Sequence, residues 1–251
     1  RMTQWIKDDK VSVDGKHVPG KTKLLGGEIV RVEVVAAPEA LSYVPEDVPF
    51  PVIYEDEHLL VVNKPAGMVV HPAVGNWSGT LLNGLLFRHP ELAHIPRAGI
   101  VHRLDKDTSG LMVVARNLRA HTSLVEQLSG REVHRQYLAV VQGTMVAGST
   151  VNAPIGRHPT DRVRMAVAKE GAPGRDAITH YRVREKFRAH TLVECRLETG
   201  RTHQVRVHMA HIGHPLIGDA TYNNRQKAFK FGSNQSYFVR QALHAVSLGF
   251  I

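Results

Sequence analysis

Two carboxylates, a lysine and an arginine fall within the five residues Arg103–Asp107, inside the run His102–Ala115 (HRLDKDTSGLMVVA). Thr108-Ser109-Gly110 follows, and the chain then turns apolar at Leu111–Val114. Such a change reads as a polar loop feeding a buried strand, and a loop held by a rigid strand is a usual place for reactive groups. A charged surface turn ahead of a core strand would carry the same pattern. Tyr137 lies on an expected strand, and Arg201 and Arg206 stand at the start of an expected helix. A carboxylate in a closed pocket keeps its charge best beside an arginine. It can then act as nucleophile or base without a metal. An aromatic ring gives a flat substrate a face to stack on. A second arginine in the loop could replace a base removed from a helix. Spacing alone would make Tyr137 a core tyrosine, and the residues alone do not choose between Asp105 and Asp107.

The elements that must position these groups follow from pattern. Thr80–Phe87 carries leucines at helical spacing with Thr80 as N-cap, and Arg119–Leu128 is a second helix. Val52–Tyr54 and Leu59–Val62 form a hairpin, followed by a polar turn at Asn63–Gly67 and an irregular loop through His71-Pro72 and Gly75–Gly79. Gln136–Val141, Thr150–Ile155, Arg162–Val167, Thr179–Arg184 and Thr191–Leu197 read as strands. A further helix starts at Thr202, with Val205, Met209 and Ile212 on its apolar side and Gly213 at its end. His208, His211 and His214 recur every third residue, but a helical zinc pair wants a spacing of four, and no nearby carboxylate joins them. No metal is expected.

Upstream, residues 1–36 form a small unit with turns at Asp14-Gly15 and Gly26-Gly27 and an alternating strand at Ile29–Val35. It is too short to bury a core and reads as an appendage. Lys7, Lys10, Lys16, Lys21 and Lys23 suit phosphate contacts, which give affinity without sequence choice. Residues 37–51 contain four prolines and three acids and read as a linker, leaving 52–251 as the main domain.

Composition bounds the partners. The 251 residues are 43% apolar, enough for a real core. Lys and Arg number 32 against 23 Asp and Glu, a net charge of +9, which favours RNA or DNA over an acidic membrane. The lone cysteine, Cys195, excludes an intramolecular disulfide and a Cys-rich zinc site, and its alternation with Val193 and Leu197 makes it a strand core residue. With no long apolar stretch and no secretory signal, the expected location is the cytoplasm. The chain starts at Arg1 and stops inside the apolar run Leu248–Ile251, so both ends read as trimmed.

HRLDKDTSGLMVVAR resembles the signature of the RluA-type pseudouridine synthases, and NKPAGMVVHP, RQYLAV, THY, LETGRTHQVRVHMAHIGHPLIGD and QALHA match further stretches in the same order. HPAVGNWSGTLLNGLL and IPRAGIVHRLDKDTSG are similar to the members that act on large-subunit ribosomal RNA. Residues 1–36 resemble the small RNA-binding module named after the fourth small-subunit ribosomal protein. The resemblance implies an α+β pseudouridine synthase fold: a mixed, mainly antiparallel central sheet with flanking helices and a central cleft, plus the small N-terminal α/β-hairpin module. It implies isomerisation of uridine in large-subunit rRNA or a ribosomal precursor particle, by base flipping, with no cofactor, no membrane and no required protein partner. Asp105 matches the family's essential aspartate, and Asp107 does not. Arg206, rather than Arg201, matches the arginine that pairs with it. Tyr137 matches the tyrosine that stacks on uracil, Val205 the aliphatic residue against the base, and Arg103 the arginine that enters the RNA stack. Two other readings compete with this one: an RNA-docking assembly factor with a dead pocket, and a nucleoside glycosidase that uses Asp105 and Asp107 as a carboxylate pair.

Overall fold

The computed structural model describes residues 2–33, 42–161, 163–223, 229–231 and 236–251, and its contacts divide the chain into two units, residues 1–42 and 43–251. In the first, helix α1 (Met2–Lys7) precedes strands β1 (Val11–Val13), β2 (Lys16–His17) and β3 (Val30–Val32), with β1 central. Asp14 and Gly15 both take positive φ, 49° and 77°, which suits the two-residue turn of a twisted hairpin. The Asp14 carboxylate also accepts the Ile29 N–H at 2.9 Å, tying that turn to the edge of β3. The strand expected over Ile29–Val35 is seen as β3, and its last two residues lie outside the described residues, as do residues 36–41 of the expected appendage end and linker.

The second unit runs β4 (Val52–Glu55), β5 (Leu59–Lys64), α2 (Leu81–Arg88), two short 3-10 turns (Pro90–His94 and Pro96–Gly99), β6 (Ser109–Ala115), α3 (Leu118–Ser129) and β7 (His134–Gln142). It continues with β8 (Ser149–Asn152), β9 (Ile155–Arg157), β10 (Met165–Val167), β11 (Ile178–Lys186), β12 (His190–Leu197) and α4 (Gln204–His211). A small hairpin, β13 (Phe229–Phe231) and β14 (Ser236–Phe238), precedes β15 (Leu243–Gly249). Eight strands form one sheet in the order β4-β5-β6-β15-β7-β12-β11-β8. All neighbours are antiparallel except β6 and β15. This is the mixed, mainly antiparallel sheet expected of an α+β chain.

Alternation explains the layers. Leu60, Val62, Met112, Val114, Ala139, Val141, Val193 and Cys195 join one core with the leucines of α2 and with Val205 and Met209 of α4. Val113 and Ala115 face the other way, onto Leu124 of α3, so β6 is buried on both faces and reads as a continuous apolar run. Helix α2 starts as its sequence indicates: the Thr80 hydroxyl accepts the Asn83 N–H while the Asn83 side chain takes the Thr80 N–H. Upstream of it, in the stretch expected to be linker, Glu46 N–H donates to Asn83 O at 3.1 Å, Asn83 Nδ2 donates to Val44 O at 2.8 Å, and Phe50 is buried.

Three expectations are corrected. The strand over Thr150–Ile155 is split at Ala153-Pro154 into β8 and β9, because proline has no N–H to continue a ladder and β9 leaves the main sheet to pair with β10. The strand expected from Arg162 begins at Met165, and Arg162 itself lies outside the described residues. Helix α4 begins at Gln204 rather than Thr202, because His203 takes a left-handed conformation (φ 57°) as its N-cap.

Candidate active site

Asp105 sits in the loop that feeds β6, and this loop is gripped from both sides. The Lys106 carbonyl accepts from Lys64 Nζ and Gly67 N–H, both at 2.9 Å. The Asp107 carbonyl accepts from Arg240 Nη1 at 3.2 Å, and the Thr108 hydroxyl accepts from Gln241 Nε2 at 3.2 Å. At the start of the loop, His102 Nε2 accepts the Val113 N–H at 3.1 Å. Lys64 is fully buried at the end of β5 and places its other two N–H groups on Pro65 O (2.8 Å) and Met68 O (2.9 Å). Burial lowers its pKa to about 8, with the charges of Asp107 and Asp105 opposing the fall. An ammonium whose donors all meet carbonyls is a rigid clamp, because moving it would orphan buried polar groups.

Arg206 meets Asp105 from α4. Its Nη1 donates to Asp105 Oδ2 at 3.0 Å. Its other edge is taken bidentately by Asp219, through Nε–Oδ2 at 2.7 Å and Nη2–Oδ1 at 3.0 Å. Asp219 is fully buried and also accepts the N–H groups of Thr221 and Tyr222. Burial opposes the Arg206 charge, but the hydrogen bonds and charges of Asp219 and Asp105 outweigh it and raise its pKa. The guanidinium carbon lies 5.0 Å from the centre of the Tyr222 ring. Helix α4 is fixed to β11 by polar contacts: Gln204 Nε2 donates to Ile178 O at 2.9 Å, and His208 Nδ1 lies 2.9 Å from Thr179 Oγ1. His208 Nε2 lies 3.0 Å from Ala153 O, and His214 Nδ1 lies 2.9 Å from Gln142 O, so these histidines serve protein contacts rather than a common point.

Around Asp105 opens a cleft of about 580 Å³ whose lining includes Arg103, Tyr137, Val205 and Arg206. The structure therefore brings all five expected site residues to one cavity. Asp107 does not line it, so Asp105 and Asp107 do not form the carboxylate pair of the glycosidase reading. Arg201 reaches the cleft rim but donates its Nε to Asp176 O rather than meeting Asp105. Six arginines line the cleft against two acids, Asp105 and Glu198, a balance suited to a polyanion. Tyr137, on β7 opposite Ala245 and Cys195, is largely buried, and burial pushes its phenol up to about 12, so it is neutral at physiological pH.

Sequence reasoning did not single out Asp219, Lys64, His203 or Tyr222. His203 Nε2 lies 3.9 Å from Asp105 Oδ1, and its Nδ1 lies 2.8 Å from the Tyr222 hydroxyl. Burial lowers the pKa of His203, and the Asp105 charge opposes that. Because Tyr222 already accepts the Met165 N–H, its own proton is free to turn toward His203 Nδ1. Asp219 closes the matched stretch LIGD, and only its place in the fold marks it as the partner of Arg206.

The RNA pseudouridylate synthase family profile matches residues 58–211. A ribosomal large subunit pseudouridine synthase D from Xanthomonas campestris is 57% identical over 256 residues, which cover 100% of this chain and 76% of that protein. Its namesake from Escherichia coli is 52% identical over 255 residues, covering 99% and 77%. Among solved structures, human RNA pseudouridylate synthase domain containing 1 superposes with a TM-score of 0.63 at 28% identity, over 81% of this chain and 79% of that one. Human RNA pseudouridylate synthase domain containing 4 gives 0.61 at 25%, over 79% and 83%. With a carboxylate–guanidinium pair and a buried tyrosine in one basic cleft, in a fold similar to these structures, the chain belongs to the RNA pseudouridylate synthase family and is an RluA-type RNA pseudouridine synthase.

Proposed function

We propose that this chain converts uridine to pseudouridine in large-subunit ribosomal RNA, free or within a ribosomal precursor particle, in the cytoplasm. The observation that carries the reading is the Asp105 carboxylate, held at 3.0 Å by Arg206 inside a cleft lined by six arginines. The names of the relatives, at 52% and 57% identity, support the choice of RNA. The reaction breaks the bond between N1 of uracil and C1′ of ribose, turns the base, and joins C5 to C1′. N1 ends protonated and the proton on C5 passes to solvent, so atoms and electrons balance without a cofactor.

In this reading Asp105 is the catalytic carboxylate, and Arg206 holds it in place. Tyr137 stacks on the uracil, with Val205 against the base. Arg103 fills the space that the flipped nucleotide leaves in the RNA. Extruding a base costs about a few kcal/mol, which phosphate contacts to the basic cleft offset. Residues 1–36 add sequence-independent phosphate contacts through their lysines.

The test is tritium release from carbon-five-labelled uridine in large-subunit rRNA. Wild-type protein should release label, Asp105→Asn should release none, and Asp107→Asn should retain release. Should RNA bind while wild type releases nothing, the RNA-docking reading replaces this one.

A further inference from the structure

Arg135 stands two residues before Tyr137 on β7 and so shares its face of the sheet. It is 8% exposed and lines the same cleft. Unlike Arg206, it meets no acid: among the described residues no carboxylate lies within ion-pair distance of it. Among the described residues its side chain makes one hydrogen bond, a long one from Nη2 to Glu198 O at 3.3 Å, and its buried Nε has no partner. The Glu198 carboxylate is turned to His180, with Oε1 2.6 Å from Nε2.

The surroundings hold the guanidinium without neutralising it. A Cβ on Gly200 would lie 2.4 Å from Arg135 Nη1, so the backbone after β12 passes close against the guanidinium. The next residue, Arg201, reaches the cleft with a second cation that likewise forms no ion pair with a described residue. His102, close enough for its charge to be opposed by Arg135, has its pKa lowered to about 4, first by burial and then by that arginine, and is therefore neutral at physiological pH. A buried cation with neutral and cationic neighbours is costly to keep. It is explicable where a ligand brings the missing charge.

We propose that Arg135 and Arg201 form an anion subsite beside the uracil pocket that takes a phosphodiester of the RNA strand next to the flipped uridine. The substrate class rests on the reading of this chain as an enzyme acting on RNA. A phosphodiester supplies one negative charge and two non-bridging oxygens, which match the planar fork of a guanidinium. A uracil carbonyl could accept a hydrogen bond from Arg135 but would leave its charge unmet. The subsite would fix the backbone of the extruded nucleotide while Tyr137 holds its base.

The test measures binding of a large-subunit rRNA fragment across a salt series, and melting of the free protein with and without inorganic phosphate. Arg135→Met should reduce the slope of log K against log salt by about 0.7–0.9, the value for one phosphate contact. That makes affinity about threefold less sensitive to a fourfold change in salt. The variant should also melt no lower than wild type without phosphate and lose the stabilisation that phosphate gives. Arg135→Lys should keep most of the slope. An unchanged slope with weaker binding would overturn the proposal in favour of a neutral partner such as a base carbonyl. A lowered melting temperature with the phosphate response intact would overturn it in favour of a purely structural arginine. If Arg135→Met does not fold, Arg201→Gln decides the matter, because its slope must also shrink. Tritium release by the wild type separately tests the enzyme reading, and the phosphate response does not depend on which RNA is modified.

Discussion

Asp219→Asn tests whether the geometry of Asp105 depends on a residue that never touches the cleft. In the structure Asp219 Oδ1 accepts three N–H groups, from Arg206 Nη2, Thr221 and Tyr222, while Oδ2 accepts Arg206 Nε. Asparagine can keep its oxygen at the Oδ1 position, but its amide then points N–H groups at the Arg206 Nε–H. One charge-assisted hydrogen bond becomes a donor facing a donor, and the buried guanidinium loses a counter-charge. Breaking a buried ion pair costs about 3–5 kcal/mol. Because Asp105 still compensates part of the Arg206 charge, the lower end, about 3 kcal/mol, is expected. A displacement of about 1 Å in a positioning group can cost ~100-fold in rate, and a comparable fall in single-turnover tritium release is expected, with little change in RNA affinity. Urea unfolding gives the stability change. A double-mutant cycle with Arg206→Met isolates the coupling, since that variant alone leaves Asp219 as an unpaired buried acid. The double variant should be more stable than the sum of the single losses by about 1–3 kcal/mol. Additive stabilities, together with a release rate for Asp219→Asn within about twofold of wild type, less than ~0.5 kcal/mol of barrier, would refute the argument.

Two further outcomes follow from the loop that carries Asp105. Lys64→Met removes the donor shared by three carbonyls, Lys106 among them, and should lower stability by about 2–4 kcal/mol because buried acceptors are left unpaired; urea titration and tritium release check it, with release expected to fall because the residue after Asp105 is freed. His102 has its pKa lowered from 6.5 to about 4 by burial and by Arg135, so the unfolded chain takes up a proton before the folded one does. The stabilisation is complete above pH 6.5 and is lost as pH falls toward about 4, by at most about 3 kcal/mol. In His102→Gln, whose side-chain oxygen can still accept the Val113 N–H, the stability difference between pH 7 and pH 5 should be smaller than in wild type.

What the sequence revealed was mostly local. The Thr80 cap is written in four consecutive positions, and β7, β11 and β12 alternate over enough residues to declare themselves. The break at Pro154 shows that a β-prone run can be divided between two sheets by one missing N–H. β15 escaped because its partners are remote in sequence, and pairing with β6 is a tertiary event without a local sign. His203 illustrates a different failure: a non-glycine residue at φ 57° is uncommon and carries no local sequence sign, and it shifted the start of α4. At the site, residue type and crowding raised Asp105 and Asp107 together, and only family resemblance separated them before the structure. The physical reason lies in the clamps: Lys64 and Arg240 seize the carbonyls of 106 and 107, and Asp105, not Asp107, is left facing the cleft.

The same clamps explain why a mainly antiparallel sheet contains the parallel pair β6–β15. Antiparallel neighbours would send the loops ahead of these two strands to opposite ends of the sheet. Parallel neighbours bring both loops out at one end, with Ser109 level with His244. Arg240 and Gln241, ahead of β15, can therefore hold Asp107 and Thr108, ahead of β6. The junction also demands a residue without a side chain: a Cβ on Gly110 would lie 2.2 Å from Ala245 O, at a φ of +121° that other residues rarely adopt. Ala245 in turn pairs with Tyr137 across the next strand. One register thus sets the Asp105 loop and Tyr137 relative to each other through backbone contacts alone. Arg206 then has only to bring its charge from the opposite wall, which is why its own anchor, Asp219, belongs to the site as much as the groups that face the cleft.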